Sequence, residues 1–533
     1  MALSFTVMEP RSPCIQPPRN MDPLAVRGHL RRARVSVERH PAKGHPAHAS
    51  AVGWRRFEWP RVAHGLSLLC ALACSASDEG NSGRRSQVGA PDESVGNILD
   101  GDDPPGGSGF DDFGGANGAP PGGTASGCAT SISGVTRDPA GQLPLYNVVV
   151  YVPSEALAPL ESGAACETCD GNFSGRPIAA TVSDAAGNFR LDITNVPQRE
   201  NIPLVVQAGK WRRQVTLASA ADCADTPVGA DLSRLPRNRA EGDLPRIAVM
   251  RAGSDALECL FTKIGVDLSE FAPGGRAGSV ELYYSDLENA TDDTGRMSYG
   301  GGVVDLPNVD TLFANYAAMQ SYNMILMSCE GGDERYGSPD LAHRENLQRY
   351  ANEGGRLFGG HFHNSIIDNR ELPDDYPPFP PVVEFASGRQ DIEPQLFTAN
   401  VNLGFDKGQA LADWLVNVGG STTRGQIQIN DSERTVVSML STSAVSWIDA
   451  DTEDGRAALY YGFPTPVDGP ACGRMVFTDV HVASGSGDSG KEVFPSCSTE
   501  LSPQQKALAF LIFDLANCVR PTETEPPPPI IIY

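Results

Sequence analysis

From Cys128 to about Leu235 the chain runs in short segments in which apolar and polar residues alternate, each closed by turn residues. Ser131–Val135, Tyr146–Val152, Ala179–Ser183, Asn188–Ile193, Ile202–Val206 and Gln214–Leu217 read as strands, because successive strand side chains fall on opposite faces of a sheet. Asp138-Pro139-Ala140-Gly141 and Asp184-Ala185-Ala186-Gly187 supply the Asp and Gly that tight reversals need. The pattern predicts an all-β sandwich.

Beyond about Leu244 the pattern changes to apolar runs separated by helical stretches. Arg246–Met250, Val280–Ser285, Met324–Met327 and Arg356–Gly359 are candidate buried strands. Ser254–Ile264, Val309–Ser321 and Ala342–Glu353 read as helices, the last closed by Gly354-Gly355. Ser502–Cys518 is a final helix, with Ser502 as N-cap ahead of Pro503. Strands alternating with helices predict a doubly wound parallel sheet covered on both faces.

The N-terminal region has neither period. Arg55, Arg56 and Arg61 precede the apolar run Gly65-Leu-Ser-Leu-Leu-Cys-Ala-Leu-Ala-Cys74, which is too short to span a bilayer and has the form of a cleaved signal. It resembles the lipobox of bacterial lipoproteins, with Ala71 where Leu is usual. The resemblance implies lipidation at Cys74 and anchoring in the cell envelope; Ser75 points to the outer membrane of a Gram-negative cell. Residues 1–51 are Pro- and Arg-rich and fit no export signal, so initiation near Val52 is expected. Ser75–Ser126, rich in Gly, Asp, Ser and Pro, reads as a disordered tether. The formal charge of the whole chain is −24, and the portion after Cys74 is more acidic still. That excludes nucleic acid as a partner and leaves the lipid to provide membrane attachment.

Nine cysteines follow Cys74. In an oxidising envelope, four bridges with one thiol left over are expected. Cys166-Glu-Thr-Cys169 has redox or zinc half-site spacing, but no second CxxC accompanies it; a structural bridge, with Cys128 or Cys223 as candidate partners, is the favoured reading.

Ile132-Ser-Gly-Val-Thr, Gly141-Gln-Leu-Pro-Leu-Tyr-Asn-Val-Val-Val-Tyr-Val and Thr181-Val-Ser-Asp-Ala-Ala-Gly-Asn-Phe-Arg-Leu resemble the carboxypeptidase regulatory-like domain, which implies a transthyretin-like accessory sandwich without chemistry of its own. Three later segments resemble the class I glutamine amidotransferase-like fold, closest to its ThuA-like branch: Tyr322-Asn-Met-Ile-Leu-Met-Ser-Cys-Glu-Gly-Gly332, Leu347–His361 and Gly473-Arg-Met-Val-Phe-Thr-Asp-Val-His481. The predicted class is therefore multidomain, an all-β transthyretin-like sandwich followed by a doubly wound, flavodoxin-like α/β domain. Its parts are an N-terminal extension (1–51), a signal peptide (52–73), the tether (74–126), the sandwich (127–240), the α/β domain (241–521) and a Pro-rich tail (522–533).

His361 stands where glutamine amidotransferases carry the Cys of the nucleophile elbow, so thiol-dependent glutaminase chemistry is not expected. Cys329 falls where the resemblance places the oxyanion turn and is set aside as a nucleophile in favour of a buried or bridged cysteine. His361, His481 and Glu330 are the candidate catalytic groups. Cys329, Gly331, Gly332 and Asp479 are candidate ligand contacts. His361, His363 and His481 are candidate ligands for a divalent metal, the one cofactor considered, and the alternative is that these histidines cap strand ends. Asp368–Pro381 is expected to form an irregular excursion above the same edge. The favoured function is binding of a carbohydrate or cell-wall component by a degenerate amidotransferase-like domain. A metal-assisted or His-dependent hydrolase of the ThuA-like type and a structural envelope scaffold are the alternatives.

Overall fold

A computed structural model describes residues 128–533 apart from 168, 170–172, 288–289, 333–340, 389, 484–485, 523 and 525–529. The signal peptide, Cys74 and the tether lie outside the described residues. The protein is a multidomain mixed α/β protein dominated by strands in several sheets. No helix among the described residues is long and apolar enough to cross a membrane.

Seven strands form the first part: β1 (Ser131–Val135), β2 (Val149–Pro153), β3 (Pro177–Val182), β4 (Asn188–Asp192), β5 (Glu200–Ala208), β6 (Trp211–Ser219) and β7 (Asp225–Pro227), followed by the single turn α1 (Ala230–Ser233). They make one sheet ordered β4-β1-β7 and another ordered β3-β2-β5-β6. Alternating residues of both, including Ile132, Val150, Val152, Leu191, Ile202 and Leu204, fill one core between them, as the period of two predicts.

The second part is built on β8 (Ile247–Arg251), β9 (Phe271–Pro273), β10 (Val280–Tyr284), β13 (Met324–Met327), β14 (Arg356–Gly359), β16 (Leu396–Val401), β17 (Gln426–Asn430), β19 (Val445–Thr452), β20 (Gly455–Thr465) and β21 (Gly473–Thr478). Two small antiparallel pairs lie outside this sheet, β11 (Arg296–Tyr299) with β12 (Gly302–Asp305) and β15 (Val383–Phe385) with β18 (Val436–Met439). The ten-stranded order is β17-β16-β19-β20-β21-β14-β13-β8-β10-β9. From β9 to β21 neighbours are parallel, and from β21 to β17 they are antiparallel. The all-parallel expectation is thus corrected: four antiparallel strands extend the sheet on one side. β19 and β20 are joined by a tight return at Gly455, at φ 109°, so no crossover helix is required between them.

Both faces of this sheet are covered. Ile247, Val249, Met324, Leu326 and Val476 face the cluster containing α2 (Glu258–Lys263), α6 (Asp406–Asn417) and α7 (Pro503–Ala516). The intervening residues Ala248, Met250, Ile325, Met327, Met475 and Phe477 face α3 (Asp310–Phe313), α4 (Tyr316–Met319) and α5 (Leu341–Asn352). Helix α7 begins at a capping box of Ser502 and Gln505, so the N-cap expectation holds. The single helix expected over Val309–Ser321 is two turns, because Asn315 interrupts it and its side chain accepts from the Ala318 N–H.

The sandwich and the α/β part share a core. Trp211 packs on Phe513 with ring centroids 5.8 Å apart, and Tyr146 stacks on Phe510 at 5.7 Å. The approach is close: a Cβ on Gly209, at φ +53°, would lie 1.8 Å from the Ala516 carbonyl oxygen. Four disulfides join Cys128 to Cys223, Cys166 to Cys472, Cys169 to Cys518 and Cys259 to Cys497. The CxxC pair is structural, but it reaches Cys472 and Cys518 of the α/β part, not Cys128 or Cys223 as expected. Cys128 and Cys223 instead pair with each other, across the start of β1 and the segment entering β7.

Candidate functional site

Strand register determines which side chains meet beyond the carboxyl edge of the parallel strands. Met327 of β13 pairs with Gly359 of β14, and Gly359 pairs with Phe477 of β21. Cys329 lies two residues past β13, His361 two past β14 and His481 three past β21, so the three leave adjacent strands at the same edge. This edge adjoins the point where the chain, having placed β10 on one side of β8, returns to place β13 on the other, a position at which open α/β sheets bind ligands. Gly360 permits the contact, since a Cβ there would stand 3.2 Å from the Cys329 nitrogen and 3.4 Å from its Cβ.

Among the described residues Cys329 is the one cysteine left unbridged. Its Sγ is 3.6 Å from His361 Nε2, and the His361 and His481 ring centroids are 4.8 Å apart. One ligand atom from each of Cys329, His361 and His481 lies within 4.8 Å of the others. Both imidazoles have carboxylates beside them: Glu433 Oε1 is 3.0 Å from His361 Nε2, and Asp431 Oδ2 is 2.9 Å from His481 Nδ1. Cys329 and His361 are buried at 2 % and 1 % exposure, whereas the His481 side chain is 20 % exposed and marks the open side.

Backbone pairing brings the two carboxylates here. After β17 the chain turns at Asp431, where φ is +70°, and crosses to the segment after β21. Ser432 bridges Val480, the Glu433 N–H donates to the Asp479 carbonyl, and the His481 N–H donates to the Asp431 carbonyl. Gln504, in the first turn of α7, donates to the carbonyls of Asn430 and His481 and accepts from the Asn430 N–H. Asp255 accepts from the Val482 and Ala483 N–H groups. The loop bearing His481 is therefore fixed from three sides.

Burial acts to raise the Cys329 thiol, but His361 and His481 outweigh it and hold the thiol below its ordinary value. Burial opposes charge on His361 as well, yet Cys329 and then Glu433 raise that imidazole to about 9. For His481 burial is again overcome, by Asp431, Cys329 and Asp255, and the imidazole is pushed up to about 11. The cluster thus stabilises a thiolate flanked by imidazolium groups.

No protein family, curated protein or solved structure matches the chain.

The other expected site residues have different partners. Glu330 is buried, with Oε2 accepting from Ser285 Oγ at 2.6 Å and Oε1 3.8 Å from His363 Nδ1. His363 Nε2 lies 3.0 Å from the Ser328 carbonyl oxygen. His363 begins the return of a 3₁₀ turn spanning His361–Ile366, and the i, i+2 relation of an extended strand no longer holds there. His363 therefore stands apart from the group that His361 forms with Cys329 and His481. Asp479 accepts from the Thr435 N–H at 2.8 Å and from Asn364 Nδ2 at 3.1 Å, and burial pushes its carboxyl up to about 7; it fixes the crossing segment and the 3₁₀ turn. Gly331, at φ +86°, turns the chain directly after Glu330, and Gly332 is buried. Sequence reasoning missed Glu433 and Asp431. The one local signal was the Asn430-Asp431 turn pair after the alternating Gln426-Ile-Gln-Ile run.

Proposed function

We propose that the protein is an envelope hydrolase acting on carbonyl substrates, esters or amides, at the Cys329–His361–His481 centre. The observation that carries this reading is the convergence of an unbridged, buried thiol and two imidazoles, each with its own carboxylate, at the carboxyl edge of adjacent parallel strands. Either the thiolate or an activated water attacks the carbonyl, while an imidazolium donates a proton to the leaving group. A binding role, with a carbohydrate or wall fragment held at the same edge, uses the same residues but gives no turnover. The doubly wound core and the sandwich packed against it support the amidotransferase-like, flavodoxin-like and transthyretin-like readings of the two parts. The lipobox-like segment ending at Cys74 supports anchoring at the outer membrane, and loss of fatty-acid labelling in Cys74→Ala tests it.

The test of function is a panel of chromogenic esters and amides with the intact, disulfide-bonded protein beside Cys329→Ser and His481→Ala. Saturable turnover that falls at least about 100-fold in both variants is expected. Turnover unchanged by either substitution removes the centre from the reaction, and saccharide binding with no turnover of any substrate replaces the hydrolase by the binding reading.

A further inference from the structure

The geometry points to a metal centre: we infer that Cys329, His361 and His481 bind one divalent ion of the zinc type, with the fourth position left to water beside Glu433. This deepens the hydrolase reading, on which the ion's role in turnover rests; its occupancy does not. A zinc ion about 2.3 Å from sulfur and about 2.0–2.1 Å from nitrogen sets a tetrahedral sulfur–nitrogen edge of about 3.6 Å. Cys329 Sγ and His361 Nε2 stand 3.6 Å apart, and the His481 donor lies within 4.8 Å of both.

Two further features favour an ion over a simple thiol–base pair. A nucleophilic thiol needs one base, and here two imidazoles converge on it. His361 Nε2 also faces both the sulfur and Glu433 Oε1, so a single N–H would be shared between them, whereas a cation set among the donors satisfies all of them. Asp431 completes the pattern: it holds His481 Nδ1 and leaves Nε2 for the ion, the carboxylate–histidine arrangement that orients metal-bound imidazoles. One sulfur and two nitrogens select a borderline-soft divalent ion over calcium or magnesium, which take oxygen donors. The half-open side at His481 and Glu433, with side chains 20 % and 13 % exposed, is the route by which ion and water enter. Water held there would give a proton to Glu433 and attack the carbonyl carbon; the carbon–oxygen or carbon–nitrogen bond of the ester or amide then breaks, and the leaving alkoxide or amine takes the proton from Glu433.

Chelator-treated full-length protein, its disulfides intact, is loaded with cobalt(II) and followed by absorption and elemental analysis. One cobalt per chain and a thiolate-to-cobalt charge-transfer band are expected. Cys329→Ser should abolish the band, His361→Ala and His481→Ala should weaken binding more than tenfold, and His363→Ala should leave it unchanged. Circular dichroism checks the fold of each variant, and His481→Gln stands in if the alanine variant fails to fold. Less than stoichiometric cobalt in the parent, a band that survives Cys329→Ser, or equal damage from His363→Ala overturns the inference. If metal-free protein still hydrolyses esters in a Cys329-dependent way, the metal inference fails and the hydrolase stands. Stoichiometric metal without turnover gives the reverse.

Discussion

Replacing Asp514 by Asn should destabilise the protein by about 3–5 kcal/mol, because it removes the carboxylate set between two buried cations. Asp514 on α7 is 2.6 Å from Arg474 Nη1 of β21 and 2.8 Å from Lys407 Nζ of α6. All three residues are buried. At an effective dielectric of about 20, each contact contributes roughly 6 kcal/mol of attraction. Desolvation of three ions costs several kcal/mol apiece, so the intact triad is close to neutral while the broken one is not. Urea unfolding followed by tryptophan fluorescence suits the measurement, since the Trp447 ring lies 5.9 Å from Lys407 Nζ and 6.0 Å from the Arg474 guanidinium carbon. Burial acts to raise the Asp514 carboxyl, but Lys407 and Arg474 together hold it well below the ordinary carboxylate range. With the folded value depressed, the contribution is present above the unfolded value near 4 and is lost as pH falls toward the folded one. Wild type should therefore lose stability below about pH 4 more steeply than Asp514→Asn. A loss under about 1 kcal/mol at pH 7, or parallel acid limbs, would refute the reasoning. Asp514→Leu combined with Lys407→Met and Arg474→Met should stay near wild-type stability.

Asp138 has the opposite sign. Burial raises its carboxyl to about 7 against the Gln142 and Leu143 N–H groups that it accepts, so its contribution is present below about pH 4 and is lost as pH rises through 7. Asp138→Asn keeps an acceptor oxygen and should stabilise the protein by up to about 4 kcal/mol at pH 8 and not at pH 4, as read by paired urea titrations. Asp431→Asn should lower cobalt affinity about 10- to 100-fold by releasing His481 Nδ1; unchanged affinity in calorimetry would deny Asp431 an orienting role. Residues 241–533 expressed alone should aggregate or bind a hydrophobic dye, because Phe510 and Phe513 lose the cover of Tyr146 and Trp211; a monomeric, cooperatively melting fragment would contradict this.

The parallel strands were legible because each is a wholly apolar run: Met324–Met327 and Arg356–Gly359 are bounded as their composition indicates. The strand-end logic found His361 and His481, and the odd cysteine count found one unbridged thiol. The place of Cys329 beside His361 follows from pairing between β13 and β14, which the pattern of a single strand does not display. Glu433 and Asp431 were illegible for a related reason. They reach the centre through backbone bonds to Asp479 and His481, and nothing in the local pattern of Ser432-Glu433-Arg434 announces a partner nearly fifty residues away. The antiparallel strands were missed because alternation such as Gln426-Ile-Gln-Ile fits an isolated edge as well as a sheet already formed.

The bridges from the CxxC segment carry a consequence for timing. Cys166 and Cys169 are synthesised early, yet their partners lie 306 and 349 residues further along the chain. Two thiols spaced for pairing with each other reach their native partners only once nearly the whole polypeptide has been made, so the fidelity of oxidation depends on how the early segment is held in the meantime. The last helix to emerge is also the one on which the first module closes.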